Sequence, residues 1–196
     1  MRGAIWDTAI DLFAKAGFEE TTIEEIASAA GVSTRTFFRY FASKNDLMGQ
    51  GMLRYRGLLT EAIHGAPKAA IPLEVVRHTV REVVSVAAAQ PRVREIVKIA
   101  AHSVAAREAQ LSRRAELEDA VADAFAARCR TAASDEITPR LMTGLTLTIV
   151  DIAFRIWSKR TGAEILDITE EVFERLAALV ADPPERARRA QRQAHR

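Results

Sequence analysis

Apolar residues recur along this chain at helical spacing, and nowhere with the strict alternation of a half-buried strand. Ile5, Ala9, Leu12, Phe13 and Ala16 stand at i, i+4, i+7, i+8 and i+11, the apolar stripe of a first helix. Gly17 follows as a left-handed C-cap, with Phe18 placed to fold back onto the helix end. Thr22 and Glu25 make a T-x-x-E capping box ahead of Ile23, Ile26, Ala27 and Ala30, a shorter second helix that Gly31 stops. Ser33 is an N-cap for a third helix over 34–41, and Ser43 with Asp46 opens a fourth that runs to Ile63. Two short helices joined through Gly31, Val32 and Ser33 form a helix-turn-helix.

Beyond a loop at 65–72 the same periodicity predicts helices over 73–89, 92–101, 104–131, 137–159 and 168–181, with Pro91, Pro139, Pro183 and Pro184 as punctuation. Residues 183–196 are polar and Arg-rich with no apolar face, so a disordered tail is expected there. The fold class that follows is all-α. Its expected division is a helix-turn-helix domain over 1–45, a larger helical domain over 46–182, and the tail.

A chain of 196 residues builds a sizeable core without staples. Its single cysteine, Cys129, excludes an intrachain disulfide framework and a Cys-rich zinc site, and suits a reducing, cytoplasmic setting as a small half-buried residue. Asp7 and Asp11 interrupt the first apolar run, which a secretory signal would keep uncharged. The longest apolar stretch, 141–154, contains threonines and Asp151 and falls short of the roughly 18–20 residues of a membrane span. His64, His78, His102 and His195 are scattered, and neither a Walker loop nor a G-x-G-x-x-G occurs, so no enzyme, metal or cofactor is expected.

The net charge of +2 is too small to announce nucleic-acid binding. Its distribution is more telling, because 33–44 holds Arg35, Arg39 and Lys44 and no acid. On the third helix Phe37 and Phe41, with Val32, are set to pack inward, leaving Thr34, Arg35, Phe38 and Arg39 on the outer surface. Arginine grips guanine O6 and N7 bidentately and an apolar ring touches a thymine methyl, so Thr34, Arg35 and Phe38 are candidate base readers. Arg39 stands between base and phosphate. Thr36 and Tyr40 at the edges, and Thr22 at the second helix N-terminus, are candidate phosphate donors. Lys44 opposes the dipole of its own helix, a local misfit that a phosphate would relieve. The alternative is a short amphipathic helix with solvated arginines.

Over 9–47 the chain reads A-x-x-L-F-x-x-x-G-F-x-x-T-T-I-x-x-I-A-x-x-A-G-V-S-x-x-T-F-F-R-Y-F-x-S-K-x-D-L, and this run resembles the N-terminal domain of the TetR/AcrR family of bacterial regulators. By that likeness Thr34, Arg35, Phe38, Tyr40 and Lys44 match positions that contact DNA, and Gly31 matches the turn glycine. The chain departs in offering only Met1, Arg2 and Gly3 before its first helix, where many members carry a basic arm. The resemblance implies a homodimer on double-stranded, palindromic operator DNA, with a small-molecule effector bound in the C-terminal domain. Family habit favours repression; activation, or action without a ligand, stays open as the alternative.

Within the second domain, 141–156 is apolar nearly all round, the pattern of a helix buried on several faces. Ile168, Val172, Leu176, Leu179 and Val180 form a stripe on the last helix. Leu145, Ile149, Val172, Leu176 and Leu179 are therefore candidates for a two-fold seam, with an intrachain core as the alternative. His78, His102, Ser103, Thr143, Thr146 and Asp151 are candidate polar groups of a mostly apolar ligand pocket. Arg155 at i+4 makes an ion pair the favoured role for Asp151, with a ligand contact as the alternative.

Overall fold

The computed structural model describes the backbone of residues 1–111, 114–129 and 135–181, and among them every regular element is an α-helix. In chain order these are α1 (Arg2–Ala16), α2 (Ile23–Ala29), α3 (Thr34–Tyr40), α4 (Lys44–Gly65), α5 (Pro72–Ala88), α6 (Val93–His102), α7 (Val104–Leu111), α8 (Arg114–Cys129), α9 (Ile137–Lys159) and α10 (Ile165–Ala181). The expected 104–131 helix is thus described as α7 and α8; residues 112–113 and 130–134, and the Arg-rich tail at 183–196, lie outside the described residues. The last helix opens at Ile165, ahead of the expected 168.

Short-range capping sets the N-terminal elements. Thr22 Oγ1 accepts from Glu25 N at 3.2 Å while Glu25 Oε2 accepts from Thr22 N at 2.8 Å, the reciprocal box that starts α2. Ser33 Oγ accepts from Thr36 N and Ser43 Oγ from Asp46 N, starting α3 and α4. Gly31 turns between α2 and α3 at φ 67°, a left-handed conformation that favours glycine. Gly17 differs from expectation: at φ 99° and ψ 155° it is in the extended positive-φ region, not the left-handed helical one. The chain therefore leaves α1 stretched out, and the Phe18 ring packs tilted against Phe13, 4.8 Å between centroids.

Two apolar cores result. The first gathers Ile5, Ile10, Phe13, Phe18, Ile26, Phe37, Phe41 and Leu47, and it is completed by Ile99, Ala100, Ala106 and Ala109 from α6 and α7. The second joins α4, α5, α8, α9 and α10 around Ile63, Val76, Val80, Val84, Phe125 and Phe154. Helix α9 is long and apolar enough, by length and composition, to cross a membrane. Here it packs against α5, α6, α8 and α10 with Met142, Ala153, Phe154 and Trp157 buried. Buried threonines at 79, 143, 146 and 169 each donate to the carbonyl four residues earlier, so their hydroxyls are satisfied inside their own helices.

Candidate nucleic-acid interface

The outer surface of α3 follows from what its inner surface buries. Phe37 is fully buried and Phe41 nearly so, their rings 5.6 Å apart against α1 and α2. One turn's geometry then sends Arg35, Phe38 and Arg39 to solvent, with Thr34, Thr36 and Tyr40 half-buried at the margins. Phe38 is 53% exposed and held edge-on to Phe37 at 88°, a large apolar ring fixed in place without being covered. Thr36 Oγ1 shares a hydrogen bond with Ser33 Oγ at 3.0 Å. Arg39 lies over the Tyr40 ring, 4.9 Å from its centroid, and its Nη2 donates to the Tyr40 hydroxyl at 3.2 Å. Thr22 is exposed, but its hydroxyl is engaged in the capping box, donating to Glu25 Oε2 at 2.9 Å. The two Thr22 bonds, backbone first, hold the Glu25 carboxyl below the usual range.

Lys44 is engaged within the fold. Its Nζ donates to the carbonyls of Phe18, Glu19 and Thr21 at 2.5, 3.1 and 2.9 Å, and sits 4.7 Å from the centroid of the Phe18 ring. An ammonium has three N–H donors, and all are engaged by the loop between α1 and α2. The misfit seen in the sequence is met in this structure by carbonyl oxygens.

Two polar contacts, invisible in the sequence, fasten this domain to the rest. Arg92, ahead of α6, reaches Asp11 through Nη1 at 2.5 Å and Nη2 at 3.1 Å, Asp7 at 3.3 Å and Glu95 at 3.2 Å. The Arg92 bond holds the Asp11 carboxyl below its usual range, and Asp11 in turn raises the guanidinium. Ser103, a candidate pocket residue by sequence, is instead 4% exposed at the α6–α7 junction. Its Oγ accepts from Ala106 N at 2.9 Å and donates to Glu19 Oε1 at 2.6 Å. That hydroxyl is the first cause of a lowered Glu19 pKa.

The remaining pocket candidates do not converge. Thr143 is buried and bonded within α9, His102 is exposed with Nδ1 2.7 Å from the Lys98 carbonyl, and Asp151 is exposed. Asp151 makes the i, i+4 ion pair expected of it, its Oδ2 accepting from Arg155 Nε at 3.0 Å, on the exposed side of α9. His78 lines a cleft of about 450 Å³, together with Pro67, Ala70, Glu74, Arg77 and Arg81. A smaller cleft of about 270 Å³ lies beside Trp157 and Ile165. Of the seam candidates, Ile149 is 3% exposed within the second core, Leu145, Val172 and Leu176 are half-buried against it, and Leu179 is 80% exposed. Exposed apolar residues that the sequence reading did not select as seam positions, Ile137, Leu141 and Ile152, share one face of α9, and Val180 follows Leu179. Cys129 is half-buried, its Sγ 3.9 Å from Met142 Sδ, and burial pushes its thiol pKa up.

A helix-turn-helix head with an uncovered second helix, set on a larger helical body, is the architecture of a DNA-binding transcriptional regulator. Residues 5–50 match the bacterial regulatory proteins of the tetR family and residues 70–181 match the MftR C-terminal domain; the chain belongs to the TetR family. It is 54% identical over 43 residues to a Mycobacterium tuberculosis protein described as the mycofactocin biosynthesis transcriptional regulator MftR, a match spanning only 22% of either chain. The HTH-type transcriptional regulator TcmR of Streptomyces glaucescens is 29% identical over 166 residues, 80% of this chain and 73% of that one. Among solved structures, FadR of Thermus thermophilus, a TetR-family repressor in complex with lauroyl-CoA, is 27% identical with a TM-score of 0.53 over 89% of this chain and 92% of that one.

Proposed function

We propose that this protein is a cytoplasmic, homodimeric repressor that binds a palindromic operator through α3 and is released by a small, mostly apolar ligand. The observation that carries the reading is the outer surface of α3, where Arg35 and Phe38 stand exposed with Thr34 beside them over a rigid aromatic core. In the major groove Arg35 reads guanine, Phe38 meets a thymine methyl, and Thr34 joins them, while Thr22, Thr36 and Tyr40 lie toward the phosphates. Dimerisation through α9 and α10 is supported by the exposed Ile137, Leu141, Ile152, Leu179 and Val180, which a monomer leaves wet. The lauroyl-CoA complex of the Thermus relative supports a ligand with a long apolar part.

The test is a gel shift on the intergenic DNA flanking the protein's own gene. Retarded, sequence-specific complexes are expected, and their absence at micromolar protein refutes the reading. Lauroyl-CoA added to the complex is expected to weaken it about 5- to 150-fold, the usual allosteric range. By linkage operator DNA then weakens lauroyl-CoA binding by the same factor. Equal affinity with and without DNA refutes the ligand-release part and leaves DNA binding standing.

A further inference from the structure

We propose that Arg39 is a positioning residue for the DNA contact, acting through Tyr40 instead of reading a base; the proposal rests on the operator-binding reading above. Arg35 and Arg39 stand one turn apart on the same face of α3. Their surroundings differ. Among the described residues Arg35 has no hydrogen-bond or ion-pair partner, and its guanidinium is free to extend. Arg39 is tethered: the guanidinium lies 4.9 Å from the Tyr40 ring centroid and Nη2 donates to the hydroxyl at 3.2 Å. Successive residues on a helix do not face each other, so this pairing requires the arginine to lie back along the helix surface. A bidentate grip on guanine needs the opposite, a donor edge extended into the groove.

The tether has a chemical consequence for Tyr40. A phosphate oxygen only accepts, so a phenol serves it only as a donor. With a cation's N–H occupying the acceptor side of the Tyr40 oxygen, the phenol's own hydrogen is directed elsewhere, and donation from a charged group polarises that O–H. The ring itself packs against the first core. Tyr40 is thereby fixed as an aimed donor at the edge of the reading surface, and Arg39 sets its aim.

The experiment uses the duplex that wild-type protein selects from a randomised pool, with an unrelated duplex as reference, and the variants Arg39→Ala, Arg39→Gln, Tyr40→Phe and the Arg39→Ala/Tyr40→Phe double. Each single change is expected to weaken both duplexes about tenfold, the worth of a hydrogen bond to a charged group. The double is expected to lie within about twofold of Tyr40→Phe, because residues acting as one unit are not additive. Base preference on reselection and the salt slope are expected to match wild type. Additive losses, a relaxed preference at one base pair, or a salt slope reduced by about one would each overturn the proposal, the second making Arg39 a base reader and the third a direct phosphate contact. A wild-type protein that selects no sequence brings down the operator-binding reading as well, an outcome distinct from tight binding with an additive cycle.

Discussion

Replacing Lys44 by methionine keeps most of the stem and deletes the charge, leaving three carbonyls without their donor. Two of those bonds, to Phe18 and Thr21, are part-buried, and the third, to Glu19, is exposed. A hydrogen bond to a charged group contributes about 1.5–3 kcal/mol when well sheltered, and the lower end suits this half-buried site. Counting the two sheltered bonds gives roughly 3 kcal/mol, to which the ammonium over the Phe18 ring adds about 0.5 kcal/mol. Removing a cation from the first turn of α4 returns about 0.3–1 kcal/mol. The expected destabilisation is therefore about 2–3 kcal/mol, or a fall in Tm of roughly 5–10 °C for a chain of this size. Urea titration at fixed protein concentration measures it, and amide exchange reports whether the loop between α1 and α2 loses protection first. DNA binding supplies the second readout: the salt slope of Lys44→Met is expected to equal that of wild type. A variant of unchanged stability whose slope falls by about one would show that the ammonium leaves the carbonyls to meet a phosphate, and would refute the reasoning.

Three further outcomes follow from the same geometry. Arg35→Ala is expected to cost about 1–3 kcal/mol on the selected duplex and to relax preference at one guanine-containing position, with little change on unrelated DNA; uniform weakening removes its base-reading role. Asp11 is held below its ordinary value chiefly by the Arg92 bond, so the stability it contributes is present above the unfolded value of about 3.9 and is lost as pH falls through the lower folded value. The urea midpoint of wild type is accordingly expected to fall more steeply below pH ~4 than that of Arg92→Ala, and parallel curves would contradict the assignment. Leu141→Lys combined with Leu179→Lys alters two exposed positions, so sedimentation velocity is expected to show a dimer for wild type and folded monomers for the variant; a dimer that survives both changes places the seam elsewhere.

The N-terminal elements were legible in the sequence because their signals are local. Thr22 with Glu25, Ser33 with Thr36 and Ser43 with Asp46 each act across three residues, a distance that a reader of sequence can see. The clamps between elements act at separations of 26 residues for Lys44 and Phe18, 81 for Arg92 and Asp11, and 84 for Ser103 and Glu19, and no spacing rule announces them. Lys44 shows the limit well: its misfit with the helix dipole was visible, but the sequence did not say which oxygens relieve it. For Asp151 the Arg155 pair was legible at i, i+4, but the exposure of both was not. The neighbours of Asp151 are apolar, yet Ile152 itself is 37% exposed, so hydrophobic composition on α9 did not distinguish the buried side from the open one. At Gly17 the need for glycine was legible, whereas its ψ, set by where Phe18 must land on Phe13, was not.

The first apolar core draws Ile99, Ala100, Ala106 and Ala109 from α6 and α7, more than forty residues downstream of α4's opening turn. A cut after residue 45 would therefore yield a fragment lacking part of its own floor, with Ile5, Phe13 and their neighbours facing water. The same dependence governs recombination between relatives. Exchanging only the DNA-reading head would set a foreign α1 against the α6 and α7 of this chain, with Asp7, Asp11 and Glu19 replaced opposite Arg92 and Ser103. A chimera that keeps its stability must carry head and α6–α7 together, so the heritable unit of operator choice is discontinuous along the gene: two segments inherited as one, with most of α4 and all of α5 between them.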